Sequence, residues 1–415
     1  MGYRLTDAQQ TAFVLGGTVP HIDLVQKLQK RGYYVVLIDY LANSPAKPYA
    51  DEHLQISTLD YEAVLNAAIE RKPSLIISVA VDKANVMCCR VSEALSLPHP
   101  YSSETARLIA RKDKMKQALV DAQIPTAPFT VAPLSVKQVQ EKVGFPCVVK
   151  PANGGGSRGV HVASSADQLQ QCVERAIESS RTHEAIAESF IDGIEISAYF
   201  YFQKGTPYLL SLCQKSDYTD RSNNSVRQYE SVLYPAQIPA QSVEQMREIA
   251  QKIGITFGFV NTPLMVQAIV RENGDVLVLE FAPRLGGGLC FRAIPLLTGF
   301  DYIEAAIASY LGESVDITHI ESDARCLYIG NVFAKQGIFD HVEGVDAALQ
   351  QGIIKEFYCT KTKGASISPD GSTGSRFGQF IALGESQQDL LDKGAQAHAL
   401  IRAIDAAGED ISARQ

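Results

Sequence analysis

Residues 146–163 read PCVVKPANGGGSRGVHVA. A short apolar run ends in Lys150, a glycine-rich turn follows at Gly154-Gly155-Gly156-Ser157, and Gly159-Val160-His161-Val162 then alternates with the period of two that marks a strand. The loop therefore sits between two strands, not between a strand and a helix. A Walker loop needs a Lys-Ser/Thr pair opening a helix, and that pair is missing here. A glycine loop at a hairpin tip can still fold over phosphates, because glycine lets successive backbone N–H groups approach an anion closely. Lys150 would add a point charge for the same phosphates. The plain alternative is a flexible hairpin with no ligand.

Upstream of this hairpin, Ala12-Phe13-Val14-Leu15, Val35-Val36-Leu37-Ile38-Asp39 and Leu75-Ile76-Ile77-Ser78-Val79 read as strands, and His21–Arg31 has Leu24, Val25 and Leu28 at helical spacing. Strand–helix alternation with continuous apolar strands implies a parallel sheet. The opening unit, residues 1–105, is thus Rossmann-like. Gly16-Gly17 follows its first strand, but G-x-G-x-x-G is absent, so packing or one wall of a substrate site is the better reading than a dinucleotide site. Lys112–Ala122, Val136–Val143 and Gln168–Ile177 read as helices. Residues of about 127–186 form a small α+β unit that carries the glycine loop as a lid.

Downstream, Ala185–Gly193 reads as strand, then turn, and Glu195–Tyr201 as an alternating strand, so that Glu188 and Glu195 flank a short linker between two apolar elements. That geometry suits a purine pocket, with linker backbone on the adenine edge and the carboxylates on amino and hydroxyl groups; two solvated strand-end residues are the plain alternative. Residues 264–284, LMVQAIVRENGDVLVLEFAPR, hold Asn273-Gly274 between alternating segments, the strongest short hairpin signal. A two-residue turn there sets Gln267 opposite Glu280 on one face. Opposed side chains have Cβ atoms roughly 4.5–5.5 Å apart. Two oxygen-bearing groups at that separation can share hard cations completed by nucleotide phosphates and water. Arg284 follows, at the start of the cluster Gly286-Gly287-Gly288, where a guanidinium can stabilise charge on a transferring phosphoryl group. An ordinary sheet with one Gln–Glu hydrogen bond would look the same. From 315 to 415 the pattern turns to short strands and a last helix over Gln387–Ile404, a mixed α/β unit.

Composition excludes several classes. The chain has 415 residues, 46% hydrophobic and 20% charged, so it forms large cores and has room for two or three domains. Net charge is -8 with no long basic run, which argues against nucleic acid. No apolar run approaches the roughly 20 residues that span a bilayer, and Met1-Gly2-Tyr3-Arg4 does not open a signal peptide. Eight cysteines without a C-x-x-C pair fit a reduced, cytoplasmic protein without structural zinc.

Taken together these pieces resemble the ATP-grasp superfamily, in the branch of biotin carboxylase, the carbamoyl-phosphate synthetase large subunit, purine-pathway carboxylating ligases and bacterial L-amino-acid ligases. The resemblance implies an α/β and α+β architecture: a Rossmann-like N-terminal domain (1–105), the ATP-grasp domain (106–314, with its lid at about 127–186) and a small mixed C-terminal domain (315–415). It implies ATP and Mg2+ as cofactors, with Mn2+ able to substitute. Carried over by position, Lys112 and Lys150 match the two phosphate-binding lysines, and Gly155, Gly156 and Ser157 the lid loop. Glu188, with the backbone of Phe190 and Ile191, matches the adenine hinge, and Glu195 the ribose acid. Gln267 and Glu280 match the magnesium ligands and Arg284 the arginine that steadies the reacting groups. The family commonly reads E-x-N-P-R where this chain has Glu280-Phe281-Ala282-Pro283-Arg284, so Ala282 withdraws one ligand.

The activity so implied is a carboxylate–amine ligase that forms an amide or peptide bond through an acyl phosphate and releases ADP and phosphate. Its substrates would be amino acids or similar small carboxylates. A bicarbonate-activating carboxylase and a non-catalytic ATP-binding regulator stay open beside it. Arg292 and Arg227 lie near the expected site and would bind a substrate carboxylate; a structural ion pair is the alternative for Arg292. A homodimer follows from analogy with related ligases only.

Overall fold

The apolar runs of the first hundred residues pair as expected, in a computed structural model that describes residues 9–216, 219–220, 225–226, 229–317, 320, 325–367 and 374–413. Strands β1 (Thr11–Leu15), β2 (Tyr34–Ile38), β3 (Glu52–Leu54) and β4 (Leu75–Ile77) form a parallel sheet in the order β3-β2-β1-β4. β3 was not anticipated: Glu-His-Leu carries no apolar run, and as a half-exposed edge strand it needs none. Gly17 is there for close packing, since a Cβ on it would lie 2.3 Å from the Ser44 hydroxyl.

The lid is built on β5 (Phe129–Val131), β6 (Cys147–Pro151), β7 (His161–Ala163) and β8 (Ala185–Ser189), backed by the helix Ala166–Ser179. β6 and β7 are antiparallel and the glycine loop is their tip. The helix turns Leu169, Cys172, Val173 and Ala176 onto the sheet. The short strands β11 (Thr219–Asp220) and β12 (Ser225–Val226) extend this sheet through β7.

The larger sheet holds β9 (Ile194–Gln203), β10 (Thr206–Lys215), β13 (Ser231–Tyr234), β14 (Pro263–Val270), β15 (Val276–Ala282), β16 (Cys326–Phe333), β18 (Glu356–Cys359) and β20 (Arg376–Gly384). Its order is β15-β14-β9-β10-β13-β16-β20-β18. The sheet runs unbroken past residue 315, because β13 pairs with β16. β9 shows how both faces are used. Ile196, Ala198, Phe200 and Phe202 pack with the helices Lys112–Asp121 and Ala240–Phe257, while Tyr199 and Tyr201 point the other way, into the cluster shared with the opening unit. A strand buried on both faces loses the polar alternation of a surface strand.

Two further expectations are corrected at the chain's end and in the hairpin. The last helix stops at Leu400, and Arg402–Asp405 forms β21, antiparallel to β17 (Gly337–Glu343), which also pairs with β19 (Ser366–Ile367). Ala403 is buried there as a strand residue, with its neighbour Arg402 half-exposed. In the β14–β15 hairpin the turn is not the two-residue turn expected. The Gly274 amide donates to the Arg271 carbonyl and the Arg271 amide to Asp275, a three-residue loop with Gly274 at φ +85. A bulge between Gln267 and Ala268 then admits one extra residue, Leu279, and Gln267 again faces Glu280. The bulge also switches the buried face of β15: Val276 and Val278 point into the core, and beyond the bulge Phe281 does. Glu280 is thereby turned out of the core and into the cleft.

Candidate functional site

The opening unit, the lid loop and one face of the larger sheet enclose a cleft of about 1020 Å³. Its wall carries the basic residues Lys83, Arg90, Arg107, Arg111, Lys112, Arg181, Lys215, Arg284 and Arg376 against the acids Asp82, Glu195 and Glu280. On a chain of net charge -8 this is a local excess of positive charge, which selects a polyanionic ligand. Gly155, Gly156 and Ser157 line the cleft from above, with Gly156 at φ +70 and Ser157 at φ +57.

Lys112 starts the helix Lys112–Asp121 and makes an ion pair with Glu280. Burial raises the Glu280 carboxyl, but Lys112, then Lys150 and Lys215, hold it down at about 2. With its amide nitrogen toward Glu280, Gln267 donates to Oε1 at 2.9 Å and its carbonyl accepts from Lys215 Nζ at 3.2 Å. Lys215 in turn pairs with Glu195, which faces it across the β9–β10 ribbon. Burial would lower Lys215, and Glu195 outweighs it, so the amine stays charged. Arg284 is buried, donates from Nε to Asp82 Oδ1 at 2.6 Å and from Nη1 to the Leu285 carbonyl at 2.5 Å. Asp82, at the start of a helix of the opening unit, lifts the guanidinium pKa against the effect of burial.

Glu280 brings a carboxylate to the cleft, and Gln267, with its amide turned over from the orientation above, would bring an amide oxygen beside it, a hard-oxygen donor pair. Magnesium is ordinarily held by one or two carboxylates together with substrate phosphates, so this pair fits a shared ion rather than a closed cage. Ala282, buried opposite Met265, adds nothing. Among the described residues no cluster of three or more His, Cys, Asp or Glu could hold a metal alone.

The hinge side departs from expectation. Glu188 does not line the cleft; it is 2% exposed and lies between Lys150 at 2.6 Å and Lys116 at 3.0 Å. Both its oxygens face amines, and Oε1 is buried without a hydrogen-bond partner of its own. Burial would raise its pKa, but the two lysines hold it below the carboxylate range. The Phe190 amide is also committed, to the Pro146 carbonyl at 3.1 Å, and neither Phe190 nor Ile191 lines the cleft. Lys150 sits behind the wall with Glu188, near enough to Glu280 to lower its pKa. Arg292 is withdrawn from the cleft as well: a bidentate pair with Glu356, at 3.0 and 2.7 Å, ties its helix to β18. This ion pair is the plain alternative to a substrate role. Arg227 lies outside the described residues.

Sequence reasoning missed Lys116 and Lys215. Lys116 is wholly buried and donates to Thr126 Oγ1 at 2.7 Å and the Val278 carbonyl at 3.3 Å, bracing the lid against β15; burial brings it down to about 8. Its spacing of four from Lys112 puts the two amines on one helix face, and that signal was readable. Lys215 had no such signal, because its partner is set by strand register.

Residues 143–293 match a family described as ATP-grasp domain, and residues 332–404 one described as L-amino acid ligase C-terminal domain 2. The formate-dependent phosphoribosylglycinamide formyltransferase of Ignicoccus hospitalis is 25% identical over 290 residues, 68% of this chain and 71% of that protein. The Rhodococcus jostii protein of the same name is 24% identical over 350 residues, 82% and 85% of the two chains. Among solved structures, an L-amino acid ligase from Bacillus licheniformis superposes with TM-score 0.79 at 18% identity, covering 96% of this chain and all (100%) of that one. N5-carboxyaminoimidazole ribonucleotide synthetase from Thermotoga maritima gives 0.74 at 18% identity, covering 95% and 99%. At such identities the structures speak to the fold.

Proposed function

We propose that this chain, which belongs to the ATP-grasp superfamily and is an ATP-grasp ligase, joins a small carboxylate to an amine through an acyl phosphate, with amino acids as its substrates. The observation that carries the reading is the convergence of Lys112, Gln267, Glu280 and Arg284 under the glycine loop in one cationic cleft. The match of residues 332–404 to an L-amino acid ligase domain supports the choice of substrate class. The eight free cysteines support a cytoplasmic setting.

Bound ATP would supply the phosphoryl group that activates the carboxylate, with Mg2+ held by Glu280 and Gln267 neutralising charge on its phosphates. The chain's own part is positioning and electrostatics. Lys112, paired with Glu280 at the cleft wall, would hold its positive charge beside the phosphates. Gly155, Gly156 and Ser157 present backbone N–H groups from above and close the cleft to water, which would otherwise hydrolyse an activated carboxylate. Arg284, fixed by Asp82, holds its charge at the point where the carboxylate and phosphoryl oxygens meet.

ADP release measured across a panel of amino-acid pairs, formate with amines, and bicarbonate alone tests this. At least one carboxylate–amine pair should raise ADP release well above the ATP-only background. Release with bicarbonate and no amine would assign a carboxylase instead. Tight ATP binding without turnover on any member would leave a nucleotide-binding regulator.

A further inference from the structure

We infer that Arg376 receives the unreacted carboxylate of the amine substrate, a subsite that rests on the ligase reading above. Arg376 opens β20 and lines the cleft, and its Nε is shut off from solvent with no hydrogen-bond partner. Nη1 donates to the Asn331 amide oxygen at 3.2 Å, a neutral group. Among the described residues no carboxylate pairs with it, whereas Arg284 has Asp82 and Arg111 has Asp113 and Glu184 in the same cleft. Burial pushes its pKa below the ordinary guanidinium value, and only Tyr229 opposes the shift.

Arg376 is half-buried as a residue, but a guanidinium with its Nε sealed from water and no counter-ion carries a desolvation cost that an arriving anion relieves. The surroundings favour a monoanion of carboxylate shape. A guanidinium edge offers two parallel N–H groups that match a planar carboxylate. A phosphomonoester dianion would want a second cation, and Lys215, whose amine lies 4.8 Å from the centre of the Tyr229 ring, is committed to Glu195.

The position also fits the chemistry. Asn331 accepts from Arg376 and, at 2.9 Å, from Gln379. The Gln379 amide nitrogen reaches to 3.5 Å from where a Cβ on Gly288 would sit, four residues beyond Arg284. So Arg376 is joined through two side chains to the loop that carries the reacting-centre arginine. When two amino acids condense, one carboxylate is activated and the other must be kept away from the phosphoryl group. A fixed guanidinium at the cleft wall does that and aims the amine at the acyl carbon. The amine then forms the C–N bond, the C–O bond to phosphate breaks, and the amine proton leaves to solvent.

The experiment compares an L-amino acid, its carboxamide and O-phosphoethanolamine as amine substrates for wild type, Arg376→Gln and Arg376→Lys. Wild type should prefer the acid to the amide. Arg376→Gln should raise the KM for the acid on the order of 100-fold and leave the amide and ATP unchanged, with Arg376→Lys recovering part of the loss. The melting temperature of Arg376→Gln should hold, since removing a charge without a carboxylate partner breaks no ion pair. Equal losses on acid and amide, an unchanged preference, or a fall in melting temperature with preference intact would overturn the subsite. Arg376-dependent use of O-phosphoethanolamine alone would overturn the carboxylate assignment. If no pair turns over, calorimetric titration of acid and amide in the presence of a non-hydrolysable ATP analogue still decides. Heat lost only for the acid in Arg376→Gln upholds the subsite while the ligase reading fails, and no difference rejects the subsite.

Discussion

Glu188 and Glu280 each pair with lysine, and the two pairs differ in what surrounds them. Glu188 is sealed between Lys116 and Lys150, with Thr126 and the Val278 carbonyl taking the rest of the Lys116 donors. Glu280 keeps 31% of its side-chain surface and meets Lys112 at the cleft wall, where a ligand can separate them. The first arrangement is a brace between lid and sheet; the second is a contact waiting to be exchanged. A carboxylate–lysine bond therefore does not reveal its purpose until its access to solvent is known.

The sharpest way to break the contrast is Glu188→Ala. It leaves two buried amines side by side without a counter-charge and should cost about 3–5 kcal/mol, read as a lowered midpoint in urea unfolding. A stability loss below one kcal/mol would show that Glu188 is not a brace. Burial without any ionic partner gives the next effect. His21 is fully buried, hydrogen-bonded to Thr18 and Ser78, and burial lowers its pKa to about 4. The unfolded chain binds its proton near pH 6.5 and the folded chain only near 4, so stability present above 6.5 is lost as pH falls through that window. The loss should approach about 3 kcal/mol, and urea midpoints of His21→Gln should show a shallower acid limb.

At the cleft the sign of the comparison reverses. Glu280→Gln should lower ADP release about 100-fold or more while melting close to wild type, because Lys112 can turn to water. Unfolding in step with the loss of turnover would place Glu280 with Glu188. The smallest effect is expected at Arg292, whose pair with Glu356 is about one-third exposed on the arginine side (34%). Arg292→Gln should cost at most about 1 kcal/mol and leave the KM of both substrates unchanged, and a raised KM would restore it to the substrate site.

Much of this was legible before any coordinates. The opening strands, the lid hairpin and its helix follow from periodicity that local residues carry. The opposition of Gln267 and Glu280 was read correctly by an incorrect route: the turn holds three residues, and the bulge at Leu279 cancels the shift. Asn-Gly announces a hairpin but does not fix its loop length, and a bulge leaves no mark in a run such as Val276-Leu277-Val278-Leu279. The ion pairs that hold Glu188 and Arg292 outside the cleft lining were illegible for a different reason. Their neighbours in sequence are unremarkable, and the groups that claim them, Lys116 and Lys150 for one and Glu356 for the other, come from distant segments.

From the sequence by itself came the strand-forming runs, the glycine loop between two strands, the metal-type pair on one hairpin face and the family they resemble. These are local quantities, set by side-chain period and turn chemistry. Tertiary structure alone decided which carboxylates are spent on lysines and which remain available, and that Arg376 stands in the cleft without a carboxylate of its own among the described residues. Charge compensation depends on distances between segments well separated in the chain, such as the 64 positions between Arg292 and Glu356 and the 168 between Lys112 and Glu280. Those distances exist only once the sheets have twisted and closed on one another.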